Sequence, residues 1–438
     1  MDNQESKRAA RVKRPERRQM MWREMSLEQL VPADHPVRAV WAYVDSLDLE
    51  PLYRKIKAVE GGVGRDAVDP RILLALWMFA TIEGISSARQ IARFCKRDAP
   101  YMWICGDVGV NYHLLSDFRV DHTEFLDELL ADTIATLMHQ NLVTLNEVAQ
   151  DGMRVRASAG KSSFRREPTL ERHREAAQAQ VERLRHESED DSSDHGESTK
   201  RSEAARERAA RDREDRIAKA LEELAEIQQK RERRNRGSGK EARSSTTDPE
   251  ARNMKMAGGG FRPAYNVQFA SDGESQLIVG VNVTNSGSDG GQMQPMHSKL
   301  VSRYGTVPDH YLVDGGFFNN QGLTQVEQAG SAVYAPIRNQ KKILEDGGDP
   351  HARQPTDTDE VFAFRQRMAT DSAKERYKRR ACLAEYPNAV CRNHGLYQFR
   401  VRGLKKTKAV SLLHAIVFNF RRLLRLGWFD PKLNSAIT

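Results

Sequence analysis

The sequence predicts an α/β protein: a mixed sheet flanked by helices, with an all-helical N-terminal region before it and a charged, coiled-coil-like helical insertion after its first strand. Three observations predict this. Short β-branched and apolar runs, VAQDGMRVRA (148–157), AYNVQFA (264–270), QLIVGVNVTN (276–285), HYLVD (310–314) and SAVYAPI (331–337), alternate late in the chain with segments of helical period. Residues 22–140 carry the three-and-four spacing of amphipathic helices. Residues 161–243 are dominated by Glu, Arg, Lys, Ala and Gln, unlike the sequence on either side.

A chain of 438 residues is long enough for two or three domains, each with its own core. With 39% hydrophobic and 30% charged residues it fits a globular protein that carries one extended polar segment. No apolar run approaches the roughly 18–20 residues that cross a bilayer, and the opening MDNQESKRAARVKRPERR has no apolar stretch, so no membrane association is expected. The net charge of +8 points to a polyanionic partner, met by the dense basic clusters at 7–18, 376–380 and 400–408; solubility alone is the other explanation. The four cysteines, Cys95, Cys105, Cys382 and Cys391, follow neither a zinc-knuckle nor a secreted disulfide spacing and read as reduced cytosolic thiols.

In chain order, residues 1–21 read as a disordered basic arm. Val37, Val40, Trp41, Val44 and Leu47 predict a helix over 35–52, and Gly61, Gly62 and Gly64 a loop. Asp69 followed by Pro70 is a helix start, a capping side chain and then proline in the first turn; that helix stops at Gly84. Ser87 opens a further helix ending near Lys96, and HTEFLDELLADTIATLMHQ (122–140) forms a longer one. The two helices around the turn at 84–87 could be a helix-turn-helix that sets Arg89, Arg93, Lys96 and Arg97 against DNA, or part of a bundle whose basic face is only solvated. The spacing leaves both open.

Inside the charged segment, Leu170, Ala177, Val181 and Leu184, then Ile217, Leu221, Leu224 and Gln228, form narrow apolar seams on either side of the break DDSSDHGES. They predict a helical hairpin projecting from the body, with subunit contact, DNA contact or no partner at all as its roles. A linker over 237–260 ends in a glycine loop, and the sheet resumes as a hairpin that turns at Asp272 and Gly273. A helix over 292–304, a strand, a helix over 319–329 and another strand complete it. Residues 338–359 read as a mobile polar loop, 361–392 as mostly helical, and 408–426 as an apolar closing helix that packs on the sheet.

The chemistry is expected at carboxylates. Asp151 lies in the middle of a run that reads as a buried central strand, where an acid costs several kcal/mol unless a cation, a hydrogen-bond network or a metal offsets it. Asp314 ends an apolar run just before Gly315 and Gly316, and Glu385 is the one acid within 376–392. Delivered by two strand ends and a helix, the three could converge on a pair of hard divalent cations; structural capping by Asp151 and Asp314, without metal, is the alternative. Asp289 is expected to cap a helix, Asp309 to lie in a turn and His297 to be at the surface.

Asp151 in its strand, the run DGGF from Asp314, and the series Tyr377, Arg380, Glu385 and Arg392 resemble the DDE transposases of bacterial insertion sequences. So do GRDAVDPRILLALWMFATIEGISSARQIARFCKRDAPYMWICG and LLSDFR in the helical region, and STTDPEARNMKM, GGFRPAYNVQFA and GVNVTNSGSDGGQM in the core. The likeness covers residues 31–426 apart from the charged insertion. Two departures stand out: Arg392 occupies the place of the family's usual lysine, and the spacing from Arg380 to Glu385 is one residue longer than the commonest form. In better-known relatives the large insertion also falls later, between the last strand and the glutamate helix.

The resemblance implies an RNase H-like catalytic domain over 142–160 and 250–430, interrupted by the insertion and linker at 161–249, and a DNA-binding domain over 22–141. It implies that Asp151, Asp314 and Glu385 are catalytic and hold two Mg²⁺ ions, with Mn²⁺ as an alternative. Tyr377, Arg380 and Arg392 would contact DNA phosphates. Such an enzyme would bind the terminal inverted repeats of its element in double-stranded DNA, cleave, and join the freed 3′ hydroxyl to target DNA. It would act as a homodimer in the bacterial cytoplasm, associated with the nucleoid. A metal-dependent nuclease of the same fold and an inactive, domesticated DNA-binding protein are the alternatives.

Overall fold

The computed structural model describes residues 26–58, 66–190, 197–233 and 241–428. The basic arm over 1–21, the glycine loop at 61–64, most of the DDSSDHGES break and the start of the linker lie outside the described residues.

The N-terminal helices follow from their caps. α1 (Pro36–Asp45) begins where Nδ1 of His35 accepts the Val37 amide at 3.2 Å. The single helix expected over 35–52 is in fact two: α1 ends at Asp45, and α2 (Glu50–Tyr53) restarts after the Asp48 carboxylate accepts the Glu50 amide at 2.9 Å. That local bond offers the backbone an alternative to helix. α3 (Pro70–Ile82) starts as expected, with Asp69 accepting from the Arg71 amide at 2.8 Å, and stops at Gly84 with φ +72°. α4 (Ala88–Phe94) is capped by Ser87, α5 (Ala99–Cys105) has the sequence APYMWIC, and α6 (Tyr112–Asp121) and α7 (Thr123–His139) follow.

The first core strand, β1 (Glu147–Arg156), leads into the insertion, whose base is a two-stranded clamp of β2 (Phe164–Arg165) and β3 (Ser244–Ser245). Between them α8 (Glu167–Asp190) and α9 (Glu197–Arg233) run antiparallel, Glu167 meeting Gln228 and Gln180 meeting Arg213. Leu170, Ala220, Leu224 and Ala242 form the small core of this hairpin. An ion pair between Arg252 and Glu223 ties its base to the body.

The sheet consists of β4 (Arg252–Lys255), β5 (Phe261–Asp272), β6 (Ile278–Thr284), β7 (His310–Leu312) and β8 (Ala332–Tyr334) besides β1, in the order β4-β5-β1-β7-β8 with β6 also paired to β5. The strands from β4 to β1 are antiparallel, and β1, β7 and β8 are parallel. The predicted hairpin turn forms because Asp272 Oδ2 accepts the Ser275 amide at 2.8 Å and the Ser275 hydroxyl at 2.7 Å.

Helices cover both faces. On one side α10 (Met293–Tyr304) and α11 (Asn320–Gln328) pack with Ala270, Leu277 and Val279. On the other lie the N-terminal helices and α16 (Leu404–Leu426), which share one core with Tyr265, Val267 and Phe269 of β5. Alternation along β5 sends its odd-numbered residues to this second face. α16 also closes the sheet edge: Asn419 accepts the Ile278 amide and donates to its carbonyl, both at 2.8 Å. A second tie is Asp127 of α7, buried among Lys299, Arg303 and Lys408. No helix among the described residues is long and apolar enough to cross a membrane.

The remaining helices are α12 (Gln340–Glu345), α13 (Asp359–Ala369), α14 (Asp371–Lys378) and α15 (Tyr386–Asn393). The segment expected to be a mobile loop, 338–359, contains α12 and is pinned: buried Arg365 donates to Asp357 at 2.6 Å and to the Pro350 carbonyl at 2.9 Å. A guanidinium contributed from outside the segment, in α13, supplies order that its own polar sequence does not indicate.

Candidate active site

β1 is the strand on which the sheet changes sense. It runs antiparallel to β5, Asp151 facing Phe269, and parallel to β7 only from Glu147↔His310 to Ala149↔Leu312. In open α/β sheets, ligand sites form beyond the carboxyl ends of strands where neighbouring connections diverge. Asp151 lies two residues past Ala149 and Asp314 two residues past Leu312, so the register continued carries 151 opposite 314. Asp151 is within β1, while Asp314 stands just beyond the end of β7, at the start of the turn Gly315–Phe317.

Asp151 is nearly enclosed, its side chain 18% exposed. Burial raises its pKa to about 6, and the charges of Asp314 and Asp289 add to this against the pull of Arg380 and the Gly152 amide. A carboxyl group so perturbed is a site where a cation is favoured. From α15, Nδ2 of Asn388 donates to Oδ2 of Asp151 at 3.0 Å, while Oδ1 of Asn388 is buried without a partner. Asp314 uses Oδ1 to cap the turn Gly315–Phe317, accepting the Gly316 amide at 2.8 Å. The capping reading therefore holds for that one oxygen.

Glu385 reaches this place by an irregular helix. Between α14 and α15 the chain makes a π-helical turn over Ala381–Glu385. In an α-helix residues five apart lie about 140° apart around the axis, on different faces. The wider turn puts them face to face, and Nη2 of Arg380 donates to Oε1 of Glu385 at 2.9 Å. The one-residue departure in the Arg380 to Glu385 spacing thus has a physical home, and π-turns recur at functional sites.

Arg380 also reaches Asp151, its Nη1 lying 3.9 Å from Oδ1. The side chain is 13% exposed, and Nη1 is buried with no hydrogen bond. Its guanidinium stands 5.9 Å from the ring centroid of Tyr377, whose hydroxyl pKa is raised by burial against the opposing charge of Arg380. Arg392 is exposed and falls seven residues beyond Glu385, on the same side of the helix about 10 Å further along.

Other residues have roles that sequence reasoning did not assign. Arg376 and Arg379, in a cluster expected to face a polyanion, both pair with buried Glu147, at 2.9 and 3.1 Å. They dock α14 on the start of β1. Asp289 is not a helix cap: it is a buried anion that accepts from Arg154 at 2.7 Å, Asn266 at 2.7 Å and Gln268 at 2.8 Å. Gly152 makes room for this cluster, since a Cβ there would stand 2.3 Å from both Asp289 Oδ1 and Gln268 Nε2. His297 is buried, not at the surface, with Nε2 bonded to the Ser331 hydroxyl at 2.7 Å. The strand alternation of Gly152 and Arg154 was the one local signal for the Asp289 cluster; nothing near His297 in sequence marked its partner.

Arg89, Arg93 and Lys96 are exposed on or just after α4. α3 is buried along most of its length, so α4 is what presents basic side chains to solvent. The Arg89 guanidinium packs 5.0 Å from the Tyr112 ring centroid. It borders a cleft of about 450 Å³ that Arg119, His113 and Arg400 also line. Arg400 follows Phe399, whose amide donates to the Arg156 carbonyl at 2.8 Å, so the cleft lies off the far end of β1. Asp151 and Arg156 are about 16 Å apart along that strand.

The donors suit hard divalent cations in kind, being anionic oxygens. Among the described residues, however, no three His, Cys, Asp or Glu side chains stand close enough to hold an ion. Asp151 and Asp314 each follow the last β1–β7 pair by two residues, while Glu385 is held by Arg380.

Two family models match the chain: a transposase domain (DUF772) over residues 25–121, and a transposase DDE domain over residues 351–424. The second takes in Tyr377, Arg380, Glu385 and Arg392; Asp151 and Asp314 lie outside both. No curated protein and no solved structure matches the chain.

Proposed function

We propose that the chain is a DDE transposase of the insertion-sequence kind, a reading supported by the transposase-domain models over residues 25–121 and 351–424, and that Asp151, Asp314 and Glu385 are the carboxylates at which it cleaves and joins DNA. The carrying observation is that Asp151 and Asp314 each lie two residues past Ala149↔Leu312, the last pair between the parallel strands β1 and β7, with Glu385 linked to Asp151 by one guanidinium. The strand order β6-β5-β1-β7-β8, three antiparallel strands followed by two parallel ones, supports an RNase H-like core. Its proposed extent is 142–160 and 250–430, with 161–249 as an insertion and 22–141 as a DNA-binding domain.

Two Mg²⁺ or Mn²⁺ ions held by the three carboxylates would supply the charge that activates water or a 3′ hydroxyl and stabilises the leaving oxygen. The chain's own part is positioning and charge neutralisation, which phosphoryl transfer chiefly requires. Arg380 and Arg392, on the glutamate helix, hold phosphates flanking the scissile bond, with guanidinium suited to bidentate contact. Tyr377 backs Arg380 through its ring. Arg89, Arg93 and Lys96 carry the backbone of the element end on the N-terminal helices. The working form is a homodimer on two terminal inverted repeats, acting in the cytoplasm at the nucleoid.

A nuclease that cuts without joining is the second reading, and the same carboxylate geometry favours it equally. Labelled element ends incubated with full-length protein, Mg²⁺ and a target plasmid separate them. Joined products support the transposase reading; cut ends alone support the nuclease; binding with neither product removes the catalytic assignment.

A further inference from the structure

Arg380 stands where a cation is wanted. Its guanidinium lies between the strand carboxylate and the helix carboxylate, 3.9 Å from Asp151 Oδ1 and 2.9 Å from Glu385 Oε1. The two contacts are unequal. Toward Glu385 it is a good charge-assisted hydrogen bond, whereas toward Asp151 the nearest nitrogen, Nη1, is buried and makes no hydrogen bond at all. Asp151 is meanwhile fixed from its other side, where Asn388 donates to Oδ2. Arg380 also belongs to the residues proposed to grip DNA phosphate, an anion that takes arginine in a two-pronged, planar contact that this split carboxylate arrangement does not offer.

We propose that Arg380 is a positioning residue that acts as a resident counter-cation: without DNA it bridges Asp151 and Glu385 and keeps divalent ions out, and a DNA phosphate draws it away so that both carboxylates become free for ions. This rests on the assignment of Asp151 and Glu385 as metal ligands. A guanidinium and a divalent ion cannot both occupy the space between the two acids, because they compete for the same oxygens and repel one another. DNA binding and ion binding are then coupled through one side chain. Thermodynamic reciprocity requires that whatever factor DNA adds to ion affinity, ions add to DNA affinity. The arrangement would withhold the hydrolytic centre until a strand is in place. The π-helical turn makes this geometry available, since it alone brings residues 380 and 385 to one side of the helix.

The test is the Mn²⁺ affinity of the full-length protein, measured by paramagnetic resonance of free Mn²⁺ with and without a random-sequence DNA duplex. The Asp151→Asn protein serves as the blank for ions held elsewhere or by the DNA. Wild type is expected to bind Mn²⁺ about tenfold or more tightly with DNA than without, and Arg380→Gln to bind it tightly in both conditions. An Arg380→Gln protein that binds Mn²⁺ no better than wild type without DNA overturns the proposal. Should that variant not fold, wild type alone decides: no gain in Mn²⁺ affinity with DNA above the blank also overturns it. If the blank binds Mn²⁺ as wild type does in both conditions, the assignment of the carboxylates fails, and the proposal with it.

Discussion

The side chain of Asn388 donates to Oδ2 of Asp151 at 3.0 Å across the junction of α15 and β1. A helix residue three positions beyond Glu385 therefore fixes the orientation of a strand carboxylate far away in sequence. Its other amide atom, Oδ1, is buried without a partner, a cost of about 1–3 kcal/mol that the fold tolerates here. Replacing Asn388 by leucine removes both the bond and the orphaned oxygen. Stability by chemical unfolding is expected to change by no more than about 1 kcal/mol. Mn²⁺ affinity in the presence of DNA is expected to fall roughly 10- to 100-fold, as when an outer partner of a metal ligand is removed. Unchanged affinity would show that Asn388 only packs.

Asp151→Asn removes a proposed ligand but leaves the basic groups that meet DNA in place. Cleavage of labelled element ends in Mg²⁺ is expected to drop below detection, while gel-shift affinity stays within about twofold, since phosphate neutralisation elsewhere dominates binding. Full cleavage by the variant takes Asp151 out of the site.

Asp127 is surrounded by three cations drawn from α10 and α16, and burial, which alone would raise its pKa, is outweighed by hydrogen bonds from Arg303 and Lys408 and by the charge of Lys299. Its pKa is held well below the usual carboxylate range. The sign follows: the folded state prefers the ionised form, so the stabilisation is present above the unfolded value of about 4 and is lost as pH falls through the folded value. Asp127→Asn is expected to cost about 3 kcal/mol at neutral pH. Urea unfolding between neutral and strongly acidic pH should show a shallower acid limb for the variant; identical limbs refute the assignment.

Gly152 is fixed by its surroundings. Gly152→Ala pushes a methyl group onto Asp289 and Gln268 and is expected to cost about 1–3 kcal/mol or more, read as a lower thermal midpoint. Gly160→Ala, where the nearest atom is Ser162 Oγ at 3.5 Å, is the neutral control. Equal midpoints for the two variants contradict the crowding seen at Gly152.

Arg93 and Lys96 are exposed with no structural duty that the fold reveals. If α4 carries DNA backbone, the double variant Arg93→Ala, Lys96→Ala should flatten the dependence of log affinity on log salt by about one unit for each phosphate left without its cation. An unchanged slope makes this face a solvated one, the alternative that the spacing leaves open.

Much of the architecture is legible in local chemistry. The Asp69-Pro70 start, the Gly84 stop, the hairpin at Asp272 and Gly273 and the charged hairpin all follow from caps, turns and periodicity acting over a few residues. Asp151 can be singled out because an acid in an apolar strand is anomalous wherever the strand goes. The segment at 338–359 and His297 depart from what their own sequences suggest because their order comes from partners contributed by other elements, Arg365 of α13 and Ser331 beside β8.

By itself the amino-acid order determined most of the strands and helices and which faces are apolar, and it marked one acid, Asp151, as chemically out of place, because hydrophobic period and capping are short-range effects. Only the tertiary structure decided which acids the basic side chains meet. Arg376 and Arg379 are committed to Glu147, Arg154 to Asp289, and Arg380 to the pair Asp151 and Glu385. Charge pairing in a fold is set by sheet order and by the wider turn of one helix, and neither is encoded within the reach of a local pattern.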